Sequence, residues 1–308
     1  MPAGDAAGGE QQRERVARIA AIIGPGVIGG SLALALKARH AVDKVIAVAR
    51  SEQTLLAARE LGVADQGTHD PASAVAEADL VVLATPVLTI IDQLAAIAPH
   101  LQPGCLVTDV GSTKAEICRK ARETLSAGVD FVGGHPMAGS ERTGVGAARA
   151  DLFEGAAWVL TPAESARPQA IDRARRLVAA TGARVLLLSP EEHDELAAGV
   201  SHVPHLLAAA LAAHVGRLAD DHPQAGLMAA GGFRDLTRVA EGEPELWRDI
   251  LATNQAATVR HLESLIEALR GLTEMVGKGD MAAVTEFLHQ ARELRRRLGA
   301  DGRVGPGE

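Results

Sequence analysis

A doubly wound α/β domain followed by an all-helical domain is the architecture this sequence predicts. Three observations predict it. Short apolar runs alternate with helical stretches from Arg18 to Ser189, a glycine-rich turn joins the first run to the first helix, and strand-like patterning stops after Ser189. The strand-like runs are Ile19–Ile23, Lys44–Ala49, Leu80–Ala84, Leu106–Val110, Phe131–Val132, Ala157–Leu160 and Arg184–Leu188. Several are continuous and β-branched, as expected of central parallel strands covered on both faces. Ser31–Arg39, Glu52–Leu61 and Pro168–Ala180 read as helices between them. Beyond Ser189, Pro190–Leu218 opens on Ser-Pro-Glu-Glu, an N-cap with an acidic first turn. Leu246–Val276 and Asp280–Arg297 carry apolar residues at three- and four-residue spacing, and such faces are often buried against a second copy of the chain. The expected organisation is a disordered tail 1–15, an α/β domain 16–188, a helical domain 189–298 and a disordered tail 299–308.

The glycine-rich turn specifies the first domain. Gly24-Pro25-Gly26-Val27-Ile28-Gly29 follows the first strand directly and opens a helix, the context that makes the G-x-G-x-x-G pattern a dinucleotide-binding, Rossmann-type fingerprint. Gly24 makes the turn, Gly26 lets a pyrophosphate approach the backbone, and Gly29 lets helix and strand pack closely. The free N–H groups after the second glycine, on Val27, Ile28 and Gly29, face the phosphates. About 20 residues further on, an acidic residue would mark NAD. The chain has Arg50-Ser51 there instead, a pair suited to a 2′-phosphate, so NADP is favoured over NAD. Thr85-Pro86 ends the third run, at the carboxyl edge where such sheets bind ligands.

Composition narrows the function. The chain has 308 residues and a formal charge of −8, which argues against nucleic-acid or anionic-membrane partners. An anionic ligand must therefore be met by local cations. Four Phe, two Trp and no Tyr leave a core of small aliphatic residues. Cys105 and Cys118, with no motif spacing, read as buried reduced thiols of a cytoplasmic protein. The amino-terminal residues lack a signal-peptide centre, and no apolar run reaches the ~18 residues of a membrane span.

Residues 131–141, FVGGHPMAGSE, hold the principal candidate for chemistry. His135 follows two glycines in what reads as a tight turn, where an imidazole can accept a proton near neutral pH or be satisfied structurally. Ser112 either N-caps the following helix or orients a neighbouring imidazole. His202 and His205 flank Pro204, and His193 sits in Glu-Glu-His-Asp-Glu, where it reads as a helix-surface or helix-packing residue. No metal site is expected from these histidines. Lys114 reads as a solvated or helix-end charge, and Trp247 as a packing residue or a substrate contact.

Taken together, GPGVIGGSLA, ATP, TDVGSTK, GGHPMAGSE, DLF, EHD, SHVPH and GGFRDLTRVA…WRDI resemble the prephenate/arogenate (cyclohexadienyl) dehydrogenase family, from about residue 18 to about 295. The resemblance implies oxidative decarboxylation of a cyclohexadienyl substrate with hydride transfer to NAD(P), in tyrosine biosynthesis, by a homodimer joined through the helical domain. By motif position, His135 is the residue that takes the 4-hydroxyl proton, Ser112 the serine that holds that imidazole, and Arg238 the arginine that grips a substrate carboxylate. Glu141, His205, Asp235 and Trp247 match further pocket positions. A protonated His205 near the side chain would favour the keto acid prephenate over arogenate. Two other readings compete. A β-hydroxyacid dehydrogenase needs a lysine on a later helix, where the carboxyl-terminal half offers only Lys278, and a non-catalytic NADPH-binding protein needs none of His135, Ser112 and Arg238.

Overall fold

The structure is a computed structural model that describes residues 15–139, 142–163 and 166–299. Both expected tails fall outside the described residues, save residues 15 and 299. The α/β part runs β1 (Ala17–Ile23), α1 (Val27–Ala38), β2 (Val42–Val48), α2 (Glu52–Glu60), β3 (Gln66–Thr68), α3 (Pro71–Glu77), β4 (Leu80–Leu83), α4 (Val87–Ile97), β5 (Leu106–Asp109) and α5 (Ala115–Thr124). It continues through β6 (Asp130–Pro136), β7 (Ala157–Pro162), α6 (Pro168–Ala179) and β8 (Arg184–Leu187). Every predicted run coincides with a strand. The sequence reading passed over β3, whose Gln-Gly-Thr has no apolar side chain to announce it.

The strands form one sheet in the order β3-β2-β1-β4-β5-β6-β7-β8. The order reverses between β1 and β4, which opens a crevice at their carboxyl ends. Along β4, Leu80 and Val82 join the core on one face, and Val81 and Leu83 join the core on the other. All four are fully buried, which accounts for the unbroken apolar run. The expectation of parallel strands fails at one place, where β7 pairs antiparallel to β6. Among its described residues the link between them holds no crossover helix, only turns and a 3₁₀ turn at Val145–Ala147, so the chain returns beside β6 in the opposite sense.

The tight turn expected around His135 is a strand. Gly133, Gly134, His135 and Pro136 pair in register with Thr161, Leu160, Val159 and Trp158 of β7. The two glycines answer to crowding rather than to turn geometry. A Cβ on Gly134 would lie 2.6 Å from the Asp109 carbonyl oxygen, and one on Gly133 would strike the Thr161 hydroxyl. Beneath them lies Lys114, which is fully buried rather than solvated. Its ammonium group pairs with the Asp109 carboxylate and donates to the Gly134 carbonyl at 2.8 Å. Asp109 in turn accepts from the N–H groups of Gly111 at 2.8 Å and Gly134 at 3.1 Å. Both peptide groups of the residue preceding His135 are thus fixed by one buried ion pair. Cys105 and Cys118 are buried free thiols, pushed by desolvation up to about 12 and about 11.

After the sheet come α7 (Pro190–Ala197), a π turn (Ala198–His202), α8 (Val203–Asp221), α9 (Gln224–Met228), α10 (Gly231–Thr237), a 3₁₀ turn (Arg238–Glu241) and α11 (Pro244–Thr253). The helix predicted to start at Leu246 is broken at Asn254, which leaves the helical region after Thr253. Compactness divides the chain at another place than the expected 188/189 boundary. Met1–Gln255 forms one unit and Ala256–Glu308 a second, whose helices are α12 (Gln255–Gly277) and α13 (Met281–Gly299). One helical run, Pro190–Asp221, is long and apolar enough to cross a membrane by length and composition alone. Its His193, His202 and His205 are buried and meet protein partners.

Substitution of Lys114 by Met should lower stability by about 3–5 kcal/mol, because it strands the buried Asp109 charge. An unchanged urea unfolding midpoint would show that the pair contributes nothing.

Candidate active site

The crevice at the carboxyl ends of β1 and β4 is a cleft of ≈ 520 Å³. Gly24, Pro25 and Gly26 line it from the β1–α1 turn, Arg50, Ser51 and Thr54 from the end of β2 and α2, and Thr85 and Pro86 from the end of β4. Gly24 adopts φ +93°, a left-handed conformation that favours glycine. A Cβ on Gly26 would meet no atom within 4 Å, so open space lies over the turn where a phosphate approaches. No side chain caps α1, and the N–H groups of its first turn, including Val27, Ile28 and Gly29, have no intrahelical acceptor. These features fit a dinucleotide: the cradle is open and its donors are unspent.

At the adenosine end, Arg50 is exposed. The Ser51 hydroxyl caps α2 by accepting from the Thr54 N–H at 3.4 Å, a structural duty beside the expected phosphate contact. His69 also lines this cleft and was not foreseen. Its ring bonds the Ala49 carbonyl at 2.8 Å and Glu52 at 2.9 Å. Both partners favour the charged imidazole and raise its pKa. The first acidic residue after β2 is therefore already engaged.

Parallel pairing from β4 through β5 to β6 places the carboxyl end of β6, and with it His135, on the same sheet edge as the crevice. The His135 ring is buried, 9% exposed, and its Nδ1 lies 2.8 Å from His193 Nε2. Desolvation holds the imidazole well below its ordinary pKa, and the nearby His193, Lys114 and His202 act in the same direction. His193 Nδ1 lies 2.8 Å from Asp194 Oδ1. Asp194 also accepts the backbone N–H groups of Lys114 at 2.7 Å and Ala115 at 2.9 Å, at the start of α5. His193 is thus neither a surface residue nor mere packing. The signal for it was the Glu-His-Asp string, which sets an acid next to the imidazole.

Ser112 takes neither role expected of it. Lys114 is the N-cap residue of α5 and the N-terminal donors go to Asp194. The His135 imidazole is held by His193, and among the described residues no hydrogen bond joins it to Ser112. Ser112 lies half-buried in the β5–α5 loop.

A second cluster gathers His205, Trp247 and His202. The His205 and Trp247 rings stack with centroids 3.5 Å apart and planes 10° from parallel, and His202 meets the same indole edge-on at 6.1 Å. Burial lowers the pKa of His205, against a smaller opposing effect of the Val239 backbone. Burial thus works against the cation expected there to favour a keto acid. His205 Nδ1 is buried with no hydrogen-bond partner among the described residues. The π turn sets this face. Val203 N–H bonds the Ala198 carbonyl, five residues back, and the following Pro204 has no N–H to give to Val200. Twelve residues of plain α-helix would span about 3.3 turns and put His193 and His205 a third of a turn out of line. The residue absorbed by the π turn brings them back to one side.

The two clusters are joined within the first unit. Asn254 donates to the Asp194 carbonyl at 2.6 Å and lies 3.3 Å from His202 Nδ1. Arg238 begins the 3₁₀ turn next to Val239, exposed and in no ion pair among the described residues. Among the described residues no hydrogen bond or ion pair links it to His135. Asp235 is exposed on α10, and Glu141 lies outside the described residues. Among the described residues no group of three or more His, Cys, Asp and Glu is placed to hold a metal.

Comparison with known proteins agrees with this arrangement. Residues 32–187 match the family model described as the prephenate dehydrogenase nucleotide-binding domain, and residues 189–290 match that of the prephenate dehydrogenase dimerization domain. The prephenate dehydrogenase of Bacillus subtilis is 37% identical over 89% of this chain and 74% of its own length. The cyclohexadienyl dehydrogenase of Zymomonas mobilis is 35% identical over 93% of this chain and 98% of its own. The crystal structure of Aquifex aeolicus prephenate dehydrogenase in complex with hydroxyphenyl propionate and NAD+ superposes with a TM-score of 0.85 at 30% identity, covering 91% of this chain and 98% of that one. A Rossmann-type sheet with its open phosphate cradle, a buried imidazole on the same sheet edge and the two matched domain models lead to one conclusion: the chain belongs to the prephenate dehydrogenase family.

Proposed function

We propose that this chain oxidises and decarboxylates prephenate or arogenate, with His135 as the base that takes the proton of the substrate's ring hydroxyl. The observation that carries this reading is a buried imidazole, kept uncharged by its surroundings, on the sheet edge that also carries the dinucleotide cradle. A nicotinamide bound at that cradle supplies the hydride acceptor. As hydride leaves, positive charge grows on the carbinol carbon and acidifies its hydroxyl, and a neutral imidazole in hydrogen-bond reach accepts that proton. Arg238 is assigned to a substrate carboxylate. Its guanidinium is unspent and matches a carboxylate bidentately, as a multiply charged substrate of an acidic protein requires. The orphaned His205 Nδ1 supports a polar contact to bound substrate beside Trp247. Ser112, Asp235 and Glu141 remain assigned to the pocket by motif position alone.

NADP is the favoured cofactor, because Arg50 stands where an acid would bind the ribose hydroxyls and Glu52 is tied to His69. The proposed domain boundary follows Leu188, and its support is that the last strand ends at Leu187 and the helices begin at Pro190. A cytoplasmic homodimer is the assembly proposed. Leu227, Met228 and Leu236 stand 89%, 80% and 66% exposed in the region matched by the dimerization-domain model.

His135→Asn should cut turnover of prephenate or arogenate by roughly 10²–10⁴ while leaving cofactor affinity unchanged. Near-native turnover would remove the base assignment. Arg50→Asp should weaken NADP more than NAD in binding titrations, and equal losses would remove the cofactor preference. Only the neutral form of His135 accepts a proton, and its pKa lies well below the ordinary 6.5. Turnover should therefore hold steady as pH falls from neutrality to about 6.5 and decline only below that. A decline already complete at 6.5 would contradict the buried, neutral imidazole.

A further inference from the structure

We propose that His193, set by Asp194, is a positioning residue that locks His135 into the single tautomer able to act as a base. The inference rests on the assignment of His135 as that base.

The argument starts at Asp194, whose carboxylate accepts the N–H groups of Lys114 and Ala115. Backbone N–H groups can only donate, so the carboxylate faces its other neighbours as an acceptor. His193 Nδ1, 2.8 Å from Oδ1, must then carry hydrogen. A neutral imidazole bears one N–H, so His193 Nε2 presents a lone pair. That lone pair lies 2.8 Å from His135 Nδ1, which must donate to it. The single hydrogen of neutral His135 is thereby placed on Nδ1 and its Nε2 is left bare. No described residue hydrogen-bonds Nε2. With a neutral His193, the opposite arrangement would set two lone pairs against each other in a site where His135, His193 and Asp194 are 9%, 2% and 5% exposed, a severe cost where water cannot intervene. An acid that fixes a catalytic imidazole in the correct tautomer is a known device of serine proteases. Here a second imidazole stands between the acid and the base. When the substrate O–H bond breaks, the proton joins Nε2, the electron pair stays on oxygen, and the Nδ1 hydrogen need not move.

Two substitutions separate orientation from mere packing. In His193→Gln the amide oxygen can accept from His135 Nδ1–H while the amide nitrogen donates to Asp194, which preserves the tautomer. His193→Leu fills the space and preserves nothing polar. The expected result is a tenfold or greater loss of kcat in His193→Leu with unchanged cofactor affinity, and recovery of most of it in His193→Gln. Equal turnover in wild type and His193→Leu, or equal losses in both variants, would overturn the proposal. Should His193→Leu fail to fold, nitrogen-15 NMR of imidazole-labelled wild-type protein at neutral pH decides the matter. Hydrogen on His135 Nδ1 supports the lock, and hydrogen on Nε2 refutes it. A His135→Asn variant of near-native turnover would refute the base assignment itself, whatever the tautomer.

Discussion

The buried Asp194 carboxylate ties the helical segment after the sheet to the sheet edge that carries His135. One carboxylate receives the first N–H groups of α5 and the His193 ring, while the Asp194 carbonyl takes the Asn254 amide. Helix α5 starts where β5 leaves the sheet, so its position is inherited from the core. Asp194 transfers that position to α7, and His193 transfers it to His135. Each link is a short hydrogen bond between buried groups, where leaving a partner unmatched costs more than the bond returns in water.

Charge is handled locally throughout. The chain is acidic overall, yet the region around His135 holds a buried Lys114–Asp109 pair and histidines that burial keeps neutral, with His202 lowered to about 4. Arg50 and Arg238, in no ion pair among the described residues, stand exposed, one at the β2 end of the cleft and one on the 3₁₀ turn after α10. Positive groups thus wait where anionic ligand groups are expected, and burial disfavours charge on the imidazole proposed to accept a proton.

Much of this was legible in the chain itself. Continuous apolar runs announced the strands because both faces of the sheet are covered, and the glycine fingerprint announced the cradle because its context is local. What escaped notice depends on distant partners. Lys114 reads as a solvated charge until Asp109 and Gly134 are seen to enclose it. The paired glycines before His135 read as a turn, since nothing in their sequence shows that Thr161 and Asp109 press against them. His193 looked like packing because its partner lies 58 residues away. The serine expected to hold the imidazole was chosen by motif position, and the fold gave that contact to a histidine.

The π turn at Ala198–His202 has a further bearing on how this helix tolerates change. Proline inside a regular helix leaves a carbonyl unmet and crowds the preceding turn, while a lone extra residue swings everything after it by more than a quarter of a revolution. Here the two irregularities answer each other: the surplus residue is taken up just where Pro204 could not have donated. Removing the exposed Val200 and exchanging Pro204 for alanine together would yield an ordinary helix with the same downstream orientation, whereas either edit alone leaves the other irregularity without its counterpart. Segment length and proline are thus coupled characters, to be altered jointly or not at all.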